Sequence, residues 1–177
     1  MRNTMLQSYA VSALLQIGLF AAFGWIMLPF LAVHNAVAWW QLTSANYVEH
    51  YGLLRQRDAG GQYEPPQPHH SWNTNHLVTN LALFHLQRHS DHHAYPSRRY
   101  QSLRHHPDLP QLPNGYFGMF VLAWFPRLWF RVMDPRLLAL PFVRGDLDRV
   151  NVDPARRDRL RERYGWTADR GGAVGTT

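Results

Sequence analysis

From Asn3 to Val48 the chain carries no Asp, Glu, Lys or Arg, a run of 46 residues. Within it, Tyr9 to Leu28 reads YAVSALLQIGLFAAFGWIML. At about 1.5 Å per residue this stretch spans a hydrocarbon core of about 30 Å. Pro29 then predicts a break or kink. A second, more polar apolar stretch follows at 30–48, FLAVHNAVAWWQLTSANYV, with Trp39, Trp40 and Tyr47 as anchors at a membrane–water interface. The pattern does not fit a signal peptide. It is too long, it lacks a small-residue cleavage site, and it runs on into a second hydrophobic segment.

Beyond residue 50 the pattern changes character several times. Residues 1–50 are expected as two membrane-associated helices broken near Pro29. A polar, turn-rich loop follows at 51–72. Residues 73–110 are expected as a histidine-bearing helix with an arginine-rich extension. That helix runs from Asn73 to Ala94, with Asn73 or Thr74 as N-cap and Pro96 as its stop. Residues 111–141 hold an apolar segment, Tyr116 to Phe125, too short to span a bilayer and suited to an interface. Residues 142–177 read as a charged tail ending in disorder, with Asp153–Pro154 opening a short solvated helix.

Composition sharpens this picture in two respects. There is no cysteine, which excludes disulfides, iron–sulfur clusters and thiol catalysis. The formal charge of +6 favours an acidic protein partner or anionic lipid headgroups. Nucleic acid is not the expected partner, because the chain has no stacking platform or helix-turn-helix pattern.

The densest chemistry lies in FHLQRHSDHHAYPSRRYQSLRHH, residues 84–106, with six histidines and four arginines. On a helix of about 100° per residue, with His85 at zero, His89 falls at roughly +40°, His92 at −20° and His93 at +80°. All four then share one face, above an apolar wall of Val78, Leu81 and Ala82. Asp91 sits about 120° away and is a poor ligand candidate. Neutral imidazoles at this spacing converge on one or two cations, and imidazole suits iron, zinc, copper and nickel. A second constellation, NYVEHYGLLRQR at 46–57, puts His50, Asn46 and Thr43 on one helix face at the polar boundary, with Glu49 beside it. Ionisable groups at such a boundary are functional candidates.

Taken together, NYVEHYGLLRQR, HSWNTNHLVTNLALFHLQRHSDHHAYPSRRYQSLR, LPNGYFGMF and PRLWFRVMDPR resemble the C-terminal part of membrane alkane 1-monooxygenases. The likeness runs from about residue 4 to about residue 165. It implies an all-α integral membrane protein, with this chain as the C-terminal part of a multi-span helical bundle. The histidine-rich helical region would lie on the cytoplasmic side of a bacterial inner membrane. The implied reaction inserts one oxygen atom of O2 into a terminal C–H bond of an alkane. The implied cofactor is two non-haem iron ions in the complete protein, with rubredoxin as electron donor. Residue by residue, the resemblance implies His50, His89, His92 and His93 as iron ligands. His85, Glu49 and His70 would orient ligands or tune the irons, and Arg98, Arg99 and Arg104 would form a docking or headgroup surface.

Two departures from that family qualify the expectation. The earlier histidine boxes, His-Glu-x-x-His and Glu-His-x-x-Gly-His-His, are absent. The chain is therefore expected to be a gene fragment, a mis-called start at Met1 or a truncation, inactive by itself. Thr43 also stands where many members carry Glu. A fatty-acid desaturase or hydroxylase of the same superfamily is the competing enzyme reading, and a non-catalytic membrane metal-binding fragment the competing non-enzyme reading. Zinc remains open on spacing alone.

Overall fold

The computed structural model describes residues 3–164, and the predicted disordered end of the tail lies outside them. The described residues are mostly helical, with isolated β-bridges and no strand among them. The chain divides into two compact units, 1–43 and 44–177.

In the first unit, α1 spans Thr4–Phe23 and α2 opens at Met27 after a short 3-10 turn, Gly24–Ile26. Asn3 caps α1, its Oδ1 accepting from the Met5 and Leu6 amides at 3.0 and 3.2 Å. The helix ends at Gly24, whose φ of +71° is a conformation that suits glycine. The interruption therefore falls at Gly24–Ile26 rather than at Pro29. Pro29 sits in the first turn of α2, where its missing N–H breaks no intrahelical bond. Asn35 Nδ2 donates to Gln16 Oε1 at 3.1 Å. A pair 19 residues apart can meet only if the chain reverses between them. By length and composition, the helical stretch Thr4–His50 is apolar enough to cross a membrane. No residue of α1 is buried.

In the second unit, the last turn of α2 (Met27–His50) joins α3 (Leu77–Ala82), α4 (His89–Ala94), α5 (Tyr116–Ala123), α6 (Pro126–Leu138) and α7 (Arg157–Tyr164). Its core is built from Val48, Leu53, Trp72, Leu112, Tyr116, Met119, Trp129, Met133, Leu137, Val143 and Val150. The segment read as a charged tail contributes to it: Val143, Leu147 and Val150 are buried, and Leu53 bridges Val150. Their few apolar positions are masked in the sequence by surrounding charge. The predicted cap at Asp153 is present, its side chain accepting from the Ala155 amide.

Gly52 directly follows NYVEHY. Its φ is +70°, and a Cβ there would collide with the Leu137 side chain. The glycine thus turns the chain out of α2 while letting α6 pack against the turn.

The single helix expected over 73–94 is two short helices, α3 and α4. Phe84 and His85 between them have φ of +49° and +59°. The fully buried Gln87 explains the break. Its amide donates to the His76 carbonyl at 2.7 Å and accepts from Thr79 Oγ1 at 2.5 Å. In one continuous helix Gln87 and His76 would be about 16 Å apart along the axis. The chain folds back to satisfy a polar side chain that has no access to water.

Candidate metal centre

His50 comes from the end of α2, and His89 and His93 from one face of α4. Residue 73 holds α4 in place from a distance. Asn73 Oδ1 accepts the Ser90 amide at 2.9 Å, capping the helix start, while its Nδ2 donates to Ser90 Oγ at 2.6 Å and to the Pro110 carbonyl at 3.2 Å. Below it, the buried Asp91 carboxylate accepts from Arg98 Nη1 and from the Arg104 amide at 2.5 and 2.9 Å, with His106 Nε2 at 3.4 Å. Burial alone would raise Asp91. The Arg104 amide, the Arg98 guanidinium and His106 instead hold it below the ordinary carboxylate value.

At the centre, His89 Nε2 lies 2.9 Å from His93 Nε2 and 3.3 Å from His50 Nε2. Glu49 Oε2 approaches the same nitrogen at 3.3 Å. The tautomer of His50 follows from its other nitrogen. Nδ1 faces the His70 carbonyl at 3.1 Å, a group that only accepts, so Nδ1 carries the proton and Nε2 keeps its lone pair. Burial, then the His93, His50 and His92 rings, push His89 down to about 2. Burial, then His50 and His92, also lower His93. Both rings are neutral at pH 7, the form that binds a metal.

These residues fit a metal ion. Each neutral imidazole has one N–H and one lone pair, so three Nε2 atoms facing one another cannot all find donors among themselves. A shared cation satisfies all three. Two nitrogens each about 2.0–2.1 Å from one metal stand about 2.8–3.4 Å apart across right-angled to tetrahedral geometry, a range that holds both observed separations, 2.9 and 3.3 Å. Glu49 is 5% exposed, and burial, opposed by the Tyr116 hydroxyl, pushes it up to about 7, which leaves a buried carboxyl beside the cluster. A cleft of about 460 Å³ opens beside His50 and His93, lined also by Leu53, Arg55, Tyr63 and His70.

The remaining predicted residues divide. The His92 ring lies 6.0 Å from His89 and 5.7 Å from His93, alongside the three converging nitrogens rather than among them. His70 meets the site through its carbonyl, and burial, then His69, lowers its ring. His85 is a correction. The left-handed turn takes it off the face of α4, and its Nδ1 lies 3.1 Å from the Tyr100 carbonyl. Arg98 is a second correction, because it is committed to Asp91 and lies over the Tyr95 ring at 4.2 Å. Arg99 and Arg104 keep exposed side chains. Sequence reading missed Asn73 as the remote cap of α4; no local spacing links positions 73 and 90.

The fatty acid desaturase family model matches residues 2–123. The chain is 52% identical to an alkane 1-monooxygenase of Ectopseudomonas oleovorans, over 94% of this chain and 41% of that protein. It is 52% identical to alkane 1-monooxygenase 1 of Alcanivorax borkumensis, over 92% and 40%, and 54% identical to an alkane 1-monooxygenase of Pseudomonas putida, over 88% and 38%. The chain thus spans about two-fifths of the length of the curated relatives it matches.

Proposed function

The chain belongs to the fatty acid desaturase family, and from that premise we propose that it forms the iron-binding C-terminal part of an alkane 1-monooxygenase. The activity is that of a protein carrying this segment: oxidation of a terminal alkane methyl group with O2 to the primary alcohol. One observation carries the proposal. Three imidazole nitrogens from two helices, separated by 39 and 4 residues in sequence, point at one another, with His89 buried and His50 and His93 half-buried.

His50, His89 and His93 would hold iron, and His92 would serve a second iron with ligands from outside this segment. Bound there, iron supplies a redox-active centre able to take up O2 and electrons. The roles of the chain's own residues follow from their surroundings. Burial keeps His89 and His93 neutral. The His70 carbonyl aims His50, and Asn73 and Asp91 hold α4 steady beneath the cluster. Glu49 sets a buried carboxyl beside His89, pushed up to about 7 by burial, and a cation held there would draw it to the charged form. The uncharged run 3–48 supports a membrane protein; the bacterial inner membrane, the multi-span bundle and the cytoplasmic placing of the imidazoles are taken from the family resemblance. Rubredoxin is the electron donor in this reading, meeting Arg99 and Arg104.

The protein carrying this segment, in host membranes supplied with rubredoxin and its reductase, should convert a medium-chain n-alkane to the 1-alkanol, measured by gas chromatography. His89→Ala should abolish product and lower the iron content. Desaturated or hydroxylated acyl lipid without alkanol would favour the acyl-desaturase reading, and zinc without iron would reject the chemistry. Reversing Arg99 and Arg104 to Glu should raise the KM for rubredoxin at low salt with little change in kcat.

A further inference from the structure

The loop between α2 and α3 contains a second group of ligand-type side chains, Glu64, His69 and His70, whose donor atoms lie within 4.8 Å of one another. Its hydrogen bonds argue against a second metal. The Gln67 amide donates to His70 Nδ1 at 2.9 Å, which occupies that nitrogen's lone pair. A neutral His70 then carries its proton on Nε2, the atom facing Glu64 Oε1 at 3.1 Å. His70 Nε2 therefore carries an N–H, where a metal would need a lone pair.

What the arrangement does fix is the backbone of residue 70. The ring is held at Nδ1 by the Gln67 amide, and Glu64 Oε1 lies against its other edge, 3.1 Å from Nε2. Glu64 is itself anchored: its Oε1 accepts the Gln56 amide at 2.7 Å, and its carbonyl accepts Arg55 Nε at 2.8 Å. Further along, the Trp72 amide donates to the Glu49 carbonyl at 2.8 Å, and Trp72 Nε1 donates to the Tyr51 carbonyl at 2.8 Å. The loop is thereby stapled over the end of α2 on either side of His50. Between those staples, the His70 carbonyl receives the proton of His50 Nδ1.

We propose that Glu64 and His70 form a positioning clamp that locks His50 in its Nδ1–H tautomer, so that its Nε2 lone pair faces the metal. The proposal rests on the metal centre described above. Ligating histidines commonly pass their second ring proton to a carboxylate or carbonyl, and loss of such a partner typically weakens metal affinity about 10–100-fold. Here the immediate partner is a backbone carbonyl, which no side-chain substitution removes. Control of His50 passes to the residues that hold that carbonyl still. Glu64 is the far end of the clamp and touches none of the three converging imidazoles in the contacts described, so it is a positioning residue.

The test uses the full chain purified in detergent, with Co2+ as the probe metal, read by its d–d absorption and by competition with a chelator. Glu64→Ala should lower Co2+ affinity about 10-fold or more and shift the d–d bands. Glu64→Gln keeps an amide oxygen where Oε1 stood and should stay within about threefold of the parent, as hydrogen-bond acceptance survives. Should Glu64→Ala fail to fold, His70→Asn stands in for it. Its Oδ1 can take the Gln67 amide while losing reach to Glu64, and it should weaken Co2+ binding similarly. Arg57→Ala, at the hairpin end of the same loop, should leave affinity and spectrum unchanged. Parent-like affinity in both Glu64→Ala and His70→Asn overturns the clamp, as does equal loss in Glu64→Gln and Glu64→Ala. His89→Ala separates the two levels. If it binds Co2+ like the parent, the metal centre itself is wrong. If it loses Co2+ while the clamp variants do not, only the clamp is wrong.

Discussion

Residues 4–43 and residues 44–164 are both rich in aliphatic and aromatic side chains, yet they place them oppositely. Leu14, Ile17, Trp25 and Val33 are each more than 60% exposed, whereas Val48, Tyr116, Trp129 and Met133 are sealed from solvent. An uncharged surface of that extent is far larger than water tolerates on a folded chain, and lipid is the solvent that suits it. In the first unit the hydrophobic effect acts between protein and surroundings. In the second it acts between elements of the chain, and there it builds the rigid frame on which four imidazoles are arranged. Like substitutions in the two units should therefore have unlike effects.

The largest contrast is between tryptophans. Trp129→Ala should cost about 3–5 kcal/mol, as for a fully buried large aromatic. Trp39→Ala, at a residue 69% exposed, should fall within about 0.5 kcal/mol. Denaturant unfolding of the detergent-solubilised chain, followed by circular dichroism, reads both. Equal effects would erase the distinction between the units.

Glycines give the next contrast. Gly52→Ala combines overpacking against Leu137, about 1–3 kcal/mol, with a left-handed φ that costs a side chain roughly 1–2 kcal/mol. Gly18 in α1 has nothing within 4 Å of the point where a Cβ would sit. Gly18→Ala should be neutral or stabilising by up to about 1 kcal/mol through helix propensity. Thermal melts of the two variants sharpen the comparison, since the chemical change is identical.

The smallest of the three contrasts concerns Asp91, a kind of residue the first unit lacks. Asp91→Asn should cost about 1–3 kcal/mol, less than a sealed ion pair because Arg98 keeps part of its hydration. Since the folded carboxyl sits below its ordinary value of 3.8, its contribution is complete above that pH and is lost as pH falls through the lower folded value. An acid titration of stability should therefore be flatter for Asp91→Asn than for the parent. Parallel curves would remove Asp91 from the forces holding α4.

Much of this contrast was legible in the sequence, for reasons that differ by region. The uncharged run marks the first unit because composition alone carries the signal. Pro96 and Asp153–Pro154 act through local backbone geometry, so the end of α4 and the cap before α7 read correctly. His50, His89 and His93 came together through the resemblance, as no periodicity links α2 to α4. The continuous helix over 73–94 failed because its hydrophobic period persists through Phe84 and His85. Neither Gly nor Pro announces that break, and its cause, the folding-back of Gln87, is tertiary. His85 was misplaced for the same reason. Arg98 was misread because a charge on a surface-like stretch gives no sign of a buried carboxylate seven residues earlier.

Helix α4 has six residues. A helix that short has no standing of its own in water, where even alanine-rich sequences need roughly a dozen residues. His89 and His93 are thus not displayed by a preformed rod that later finds its place. Their spacing exists only once Asn73, Asp91 and the surrounding loops have closed around them. Assembly of the ligand set and folding of the second unit become one cooperative event, and a cation that prefers the assembled ligands will act as a folding agent for the frame as a whole.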